Sequence, residues 1–184
     1  VFDRSINLRD DGTRPDGLPF PFDLEGSPKA PVDLVIQGTP KTPALDQRQA
    51  ALLGLPPTAH SITGNDARAQ NLFLLPGEKT ESDLLAAAEG GIWIGWLDHL
   101  ECFEPKRVLA RALARGARRI RDGKLADALP DLVWEDSLLR ALANVIGVAD
   151  NPVRRFGRAG ILGGFSAPSI AVTEVAGLAI APRS

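Results

Sequence analysis

The side chains most able to do chemistry in this sequence are few. Its 184 residues carry two histidines, His60 and His99, and one cysteine, Cys102. A hydrolytic zinc site needs three protein ligands converging on one point. His99 and Cys102 lie in Ile92–Phe103 (IWIGWLDHLECF), which reads as a strand. Residues three apart on a strand point to opposite faces, so these two cannot share an ion without a bulge. The plain expectation is a buried thiol and a partly exposed imidazole, and no metal site in this chain. Cys102 is a poor nucleophile candidate, because the neighbouring Glu101 and Glu104 disfavour its thiolate. Gly164–Phe165–Ser166–Ala167–Pro168 places proline where a Gly-x-Ser-x-Gly elbow requires glycine. Gly160–Ile161–Leu162–Gly163–Gly164 lacks the Lys–Ser/Thr pair and the following helix of a phosphate loop. Its glycines read instead as places where another backbone comes close. No catalytic residue and no metal ligand is assigned.

One electrostatic feature remains, the run of Arg107, Arg111, Arg115, Arg118, Arg119, Arg121 and Lys124. Such a cluster can contact phosphates. No aromatic residue interleaves it, and 21 Lys+Arg against 23 Asp+Glu leave the chain at a net charge of −2. A solvated hairpin face is the preferred reading and a nucleic-acid partner is not expected. With 44% apolar and 24% charged residues the composition is that of a globular domain. No stretch reaches the roughly 20 apolar residues of a membrane span, and a single cysteine suits a reducing compartment. The opening residues read as domain interior, so a piece of a longer protein is expected.

The elements that must position these groups are short. Residues 1–31 are dense in Pro, Gly and Asp and read as an extended arm or loop packed on one α+β domain over residues 32–184. Val32–Gln37, Asn71–Leu75, Ile92–Phe103 and Leu132–Trp134 read as strands, with apolar residues on both faces of the third. Asp46–Leu53 reads as a helix capped by Asp46 and stopped by Gly54; Glu81–Glu89 reads as one capped by Thr80. Ser137–Ile146 reads as a third helix, stopped by Gly147. Arg107–Ile120 has both helix and strand periods, and the Asp122–Gly123 turn favours a strand. Residues 161–180 read as two strands. The sum is α+β, mainly an antiparallel sheet with two or three short helices.

The order of these pieces resembles the C-terminal half of the TldD/PmbA family, also called modulators of DNA gyrase. Phe22–Asp23–Leu24–Glu25–Gly26 is similar to the family's F-D-x-E-G. Thr63–Gly64–Asn65, then Asn71 and Pro76–Gly77, resembles its T-G-N…N…P-G segment. Gly91–Ile92–Trp93–Ile94, Ile120–Arg121–Asp122–Gly123–Lys124, Leu138–Leu139 with Ile146–Gly147, and Pro168–Ser169–Ile170–Ala171–Val172 follow in the family's order.

The resemblance implies a cytoplasmic peptidase system whose members dimerise around a cavity and cut unfolded peptides. Catalytic members bind zinc through H-E-x-x-x-H in their other half and a cysteine near the C-terminus. This chain has no H-E-x-x-x-H, and Leu162 stands where the cysteine would be. A leucine has no lone pair to give a metal, so the pattern resembles the non-catalytic partner type. A further departure is the Arg/Ala run before Arg118, where the family often has a Thr-Gly turn.

The expected role is a wall of a dimeric peptide-binding cavity, with a second TldD/PmbA-type subunit, identical or related, as partner. Whether the intact protein is an enzyme stays open. Peptide is expected to bind by strand addition near Gly163, Gly164 and Ser166. No cofactor is expected in this chain, zinc belonging to catalytic relatives. The alternative is an independent binding or scaffold module using the Arg-rich hairpin.

Overall fold

A computed structural model describes residues 1–17, 19–63, 66–156 and 163–181. The chain divides into two compact units, each built from separated segments. Residues 1–5, 77–150 and 169–184 form the first, and residues 6–76 and 151–168 form the second, so the 32–184 span is shared between them.

Nine elements build the second unit: β1 (Leu8–Asp10), β2 (Val32–Ile36), β3 (Thr39–Pro40), α1 (Gln47–Leu53), β4 (Ser61–Thr63), β5 (Asp66–Ala67), β6 (Asn71–Leu74), β14 (Val153–Phe156) and β15 (Gly164–Ala167). Six of these strands make one sheet in the order β14-β15-β6-β1-β2-β3. All neighbours are antiparallel except β15 with β6, which run parallel. α1 begins and ends where its sequence dictates. The Asp46 carboxylate accepts the Gln49 N–H, and Gly54 closes the helix in the left-handed region at φ +64°.

Residues 1–31 hold more than an extended arm. β1 comes from them, and residues 20–29 fold back as a hairpin. Lys29 N–H donates to Pro21 O at 2.8 Å, and Asp23 N–H donates to Ser27 O at 2.9 Å. The Asp23 carboxylate accepts the Glu25 and Ser27 N–H groups, and Gly26 takes φ +80°. The F-D-x-E-G stretch is therefore a turn whose aspartate satisfies its own backbone.

The first unit contains α2 (Glu81–Ala87), β7 (Ile92–Trp93), β8 (Trp96–Glu104), β9 (Leu109–Arg115), β10 (Arg118–Arg121), β11 (Lys124–Ala128), β12 (Leu132–Ser137), α3 (Leu138–Ala143), β13 (Val145–Val148), β16 (Ile170–Val172) and β17 (Gly177–Ile180). Its main sheet runs β17-β12-β9-β8, beside a three-stranded β11-β10-β7 sheet and a β13-β16 pair. The buried stripe is Ala110, Ala112, Ala114, Leu132 and Trp134, joined by Ala117. The Arg/Ala alternation thus resolves as a strand with alanines inward. The β10–β11 turn has Asp122 at φ +53° and Gly123 at φ +65°, the two positive angles of a tight hairpin. α2 has the full capping box, Thr80 and Asp83 each bonding the other's backbone.

Four expectations change. The third helix stops at Ala143, because Val145–Val148 leaves to pair with β16. The 163–181 segment holds three strands, not two. The Ile92–Phe103 strand breaks after Trp93, and its second part is the edge of the main sheet. In the first half, where apolar residues on both faces implied cover on both sides, Ile92, Trp96 and Leu97 are 38%, 55% and 37% exposed. The pairing of β8 with β9 slips between Asp98 and Glu101, where His99 sits at φ +52°. Cys102 is exposed, not buried.

Candidate functional site

Of the residues singled out for peptide contact, Gly163 immediately precedes β15 and Gly164 and Ser166 lie within it. Gly163 has φ +151°, and a Cβ there would stand 3.0 Å from Gln70 O. Gly164 N–H donates to the same oxygen at 2.8 Å. A second backbone does come close to this glycine pair, as the spacing indicates, and it is the chain's own β6. Strand β15 is consequently paired on both edges, to Asn71–Phe73 on one side and Val153–Phe156 on the other. Ser166 is buried. Strand addition at β15 itself has no free main-chain groups to use. The nearest edge without a strand partner among the described residues is that of β14, one strand over. Phe165, between the two site positions, is 46% exposed. Leu162 lies outside the described residues, as do Gly64 and Asn65 of the T-G-N stretch.

Below the glycine pair lies a group that the sequence reading passed over. Asp10, at the end of β1, is fully buried. Its Oδ2 accepts the N–H groups of Gln70 at 2.6 Å and Asn71 at 2.9 Å. Its Oδ1 is 3.1 Å from His60 Nε2 and 3.7 Å from Lys29 Nζ, both also buried. His60 Nδ1 is 2.9 Å from the Thr58 hydroxyl. Burial pushes the Asp10 carboxyl up, but His60, the Asn71 N–H and Lys29 outweigh it, and the group sits below its ordinary value. Burial draws the Lys29 ammonium down against the opposing pull of Asp10. Asn71 donates its side-chain amide to Asp11 O at 2.6 Å. No local period signals this: Leu8 is half-buried, while the neighbours Asp10 and Asp11 are both buried.

Zinc is the group that the family resemblance implies, and the residues described do not fit it. Among them, no three His, Cys, Asp or Glu side chains are grouped so as to hold a metal. His60 has one ring nitrogen against Thr58 and the other against Asp10, while His99 is exposed on the irregular β8.

The arginine run is largely matched by acids. Arg111 pairs with Glu135, Arg115 bridges Asp98 and Asp131, Arg107 reaches Glu104 and Arg121 reaches Asp127. Arg118 donates to Ala126 O. Exposed pairs of this kind add little stability, but they leave less free positive charge than the sequence counts. Two open hollows, of about 350 and 200 Å³, share Val133 on the outer face of the main sheet of the first unit.

Comparison with known proteins places this arrangement. The family described as PmbA/TldA metallopeptidase C-terminal domain matches residues 1–177. A metalloprotease of Synechocystis sp. is 27% identical over 183 residues, covering 90% of this chain and 38% of its own length. A metalloprotease of Methanothermobacter thermautotrophicus is 27% identical over 156 residues, covering 82% and 34%. The chain thus spans little more than a third of the curated relatives it matches. Among solved structures, TldE from Thermococcus kodakarensis superposes with a TM-score of 0.77 at 19% identity, over 95% of this chain and 40% of that one. A candidate modulator of a DNA gyrase from Thermotoga maritima gives 0.78 at 22% identity, over 93% and 38%.

Proposed function

The chain belongs to the PmbA/TldD family, as its C-terminal domain, and from that premise we propose that it walls a peptide-binding cavity in a dimeric cytoplasmic peptidase assembly. The observation that carries this reading is the extent of the match, residues 1–177, to a metallopeptidase domain. Relatives named metalloproteases support the peptidase setting. A non-catalytic part in it is supported by the donor set: His60 lies between Thr58 and Asp10, away from His99 and Cys102 on β8, and no three potential ligands are grouped among the described residues. The bond-breaking groups then come from elsewhere in the intact protein or from its partner subunit, a second PmbA/TldD-type chain.

Peptide adds as a strand at the edge of β14 that has no strand partner among the described residues, one strand away from the β15 segment of Gly163, Gly164 and Ser166. Main-chain bonds give such a contact affinity with little sequence selectivity, which suits unfolded peptides. The test is photo-crosslinking of an extended peptide to the intact assembly, with adducts mapped by mass spectrometry. Adducts within residues 151–172 are expected; labelling confined to other segments overturns the assignment. No helix among the described residues is long and apolar enough to cross a membrane.

A further inference from the structure

The buried group at Asp10 has no part in the peptide contact itself, yet three segments end on it. Lys29 is the root of the 20–29 hairpin, His60 precedes β4, and Gln70–Asn71 opens β6. The hairpin tip is fixed separately: Leu24 N–H donates to Ser61 O at 3.0 Å, and Ser61 N–H donates to Asp23 Oδ2 at 3.2 Å. At the root the backbone is tied by Lys29 N–H to Pro21 O and Phe20 N–H to Gly12 O, both at 2.8 Å, but the side chains there have no such directional bonds. Asp10 Oδ1, Lys29 Nζ and His60 Nε2 are buried and lie near one another without hydrogen-bond geometry. Lys29 and Asp10, 3.7 Å apart, depend on charge, because removing either charge would leave the other buried and uncompensated. Asp23 is the next carboxylate facing Lys29. Packing makes the arrangement tight: a Cβ on Gly12 would stand 2.7 Å from Lys29 Cδ.

We propose that Asp10 is a positioning residue acting as a charge-dependent lock, whose two oxygens do different work. Oδ1 holds the root of the 20–29 hairpin through Lys29 and His60. Oδ2 holds the Gln70–Asn71 backbone, and Gln70 O in turn holds Gly164. The carboxylate therefore sets both the hairpin and the register of the β15 surface. The link to peptide binding rests on the function proposed above; the lock itself does not.

The test is amide hydrogen exchange of the full-length protein with three variants, Asp10→Asn, Lys29→Met and the two combined. Asp10→Asn is expected to speed exchange at Phe20, Asp23 and Lys29 by about tenfold or more, the scale of one lost buried charged contact, and also to speed Gly164. Lys29→Met leaves Oδ2 on its two N–H groups, so it speeds the hairpin and spares Gly164. The combined variant loosens the hairpin no more than Asp10→Asn alone, because the Lys29 ion pair is already lost in that variant. Amides of Ala110–Ala114, in the other unit, serve as the reference and stay unchanged. Hairpin exchange unaltered in Asp10→Asn, additive effects in the combined variant, or equal loosening of Gly164 by Lys29→Met each overturn the lock. Should Asp10→Asn not fold, Lys29→Met decides alone: a hairpin that exchanges at the wild-type rate refutes it. Peptide plays no part in this readout, so failure of the cavity reading would show in the crosslinking instead.

Discussion

Gly77→Ala tests how the Pro76–Gly77 motif works. A Cβ at Gly77 would lie 2.2 Å from Val148 O and 2.9 Å from both Val148 C and Val148 Cβ. Relief needs a shift of more than about 1 Å, since carbon and oxygen do not approach much below 3.4 Å. Neither backbone can yield freely. Gly77 N–H donates to Ala149 O, and Asp150 N–H donates to Lys79 O, both at 2.8 Å. Overpacking a tight site costs about 1–3 kcal/mol, and an immovable backbone partner puts this one at the upper end. A loss of about 3 kcal/mol lowers Tm by about 6–12 °C in a chain of this size. Gly54→Ala is the control. Nothing lies within 4 Å of its Cβ position, and only its φ of +64° is unfavourable for alanine, at about 1 kcal/mol. Thermal and urea unfolding of both variants measure the difference. If Gly77→Ala unfolds within the margin of Gly54→Ala, close backbone approach is not why glycine stands there.

Three other outcomes are expected. Asp10 and Asp136 are both held below the usual carboxylate range. Burial raises Asp136, but Arg140 and the N–H groups of Ala176 and Ser137 outweigh it. A lowered folded pKa stabilises fully above the unfolded value, about 4, and is lost as pH falls through the folded one. Tm should therefore be steady above about pH 5 and fall in more acid solution, less steeply for Asp136→Asn; an identical acid profile for that variant counts against the assignment. Trp134→Ala removes the largest side chain of the alanine-lined core and should cost about 3–5 kcal/mol in urea unfolding; a loss below about 1 kcal/mol means that the site is not packed as described. Duplex DNA, followed by fluorescence anisotropy across a salt series, should show no steep salt dependence, since most of the arginine run is matched by acids. A slope equivalent to several phosphate contacts contradicts this.

Much of the fold is legible in short-range chemistry. Asp46, Thr80, Gly54 and Asp122–Gly123 fix caps and a turn through their own side chains or φ angles, and the structure has them where the sequence places them. What was illegible depends on partners far along the chain. The apolar β8 reads as a core strand, but strand order makes it an edge. Val145 and Ile146 suit a helix until β16 offers them a ladder. The glycine pair correctly signals a close backbone, while the identity of that backbone, Gln70, lies some 90 residues earlier. Asp10, His60 and Lys29 share no local motif, so only the tertiary fold brings them together.

The central claim is that this polypeptide supplies surface while peptide-bond cleavage is performed by other residues. The most direct measurement is zinc binding and peptide hydrolysis by the purified 184-residue chain, with its folded state verified by near-ultraviolet circular dichroism. No stoichiometric zinc and no unaided cleavage are predicted; one tightly held zinc per chain together with hydrolysis contradicts the account.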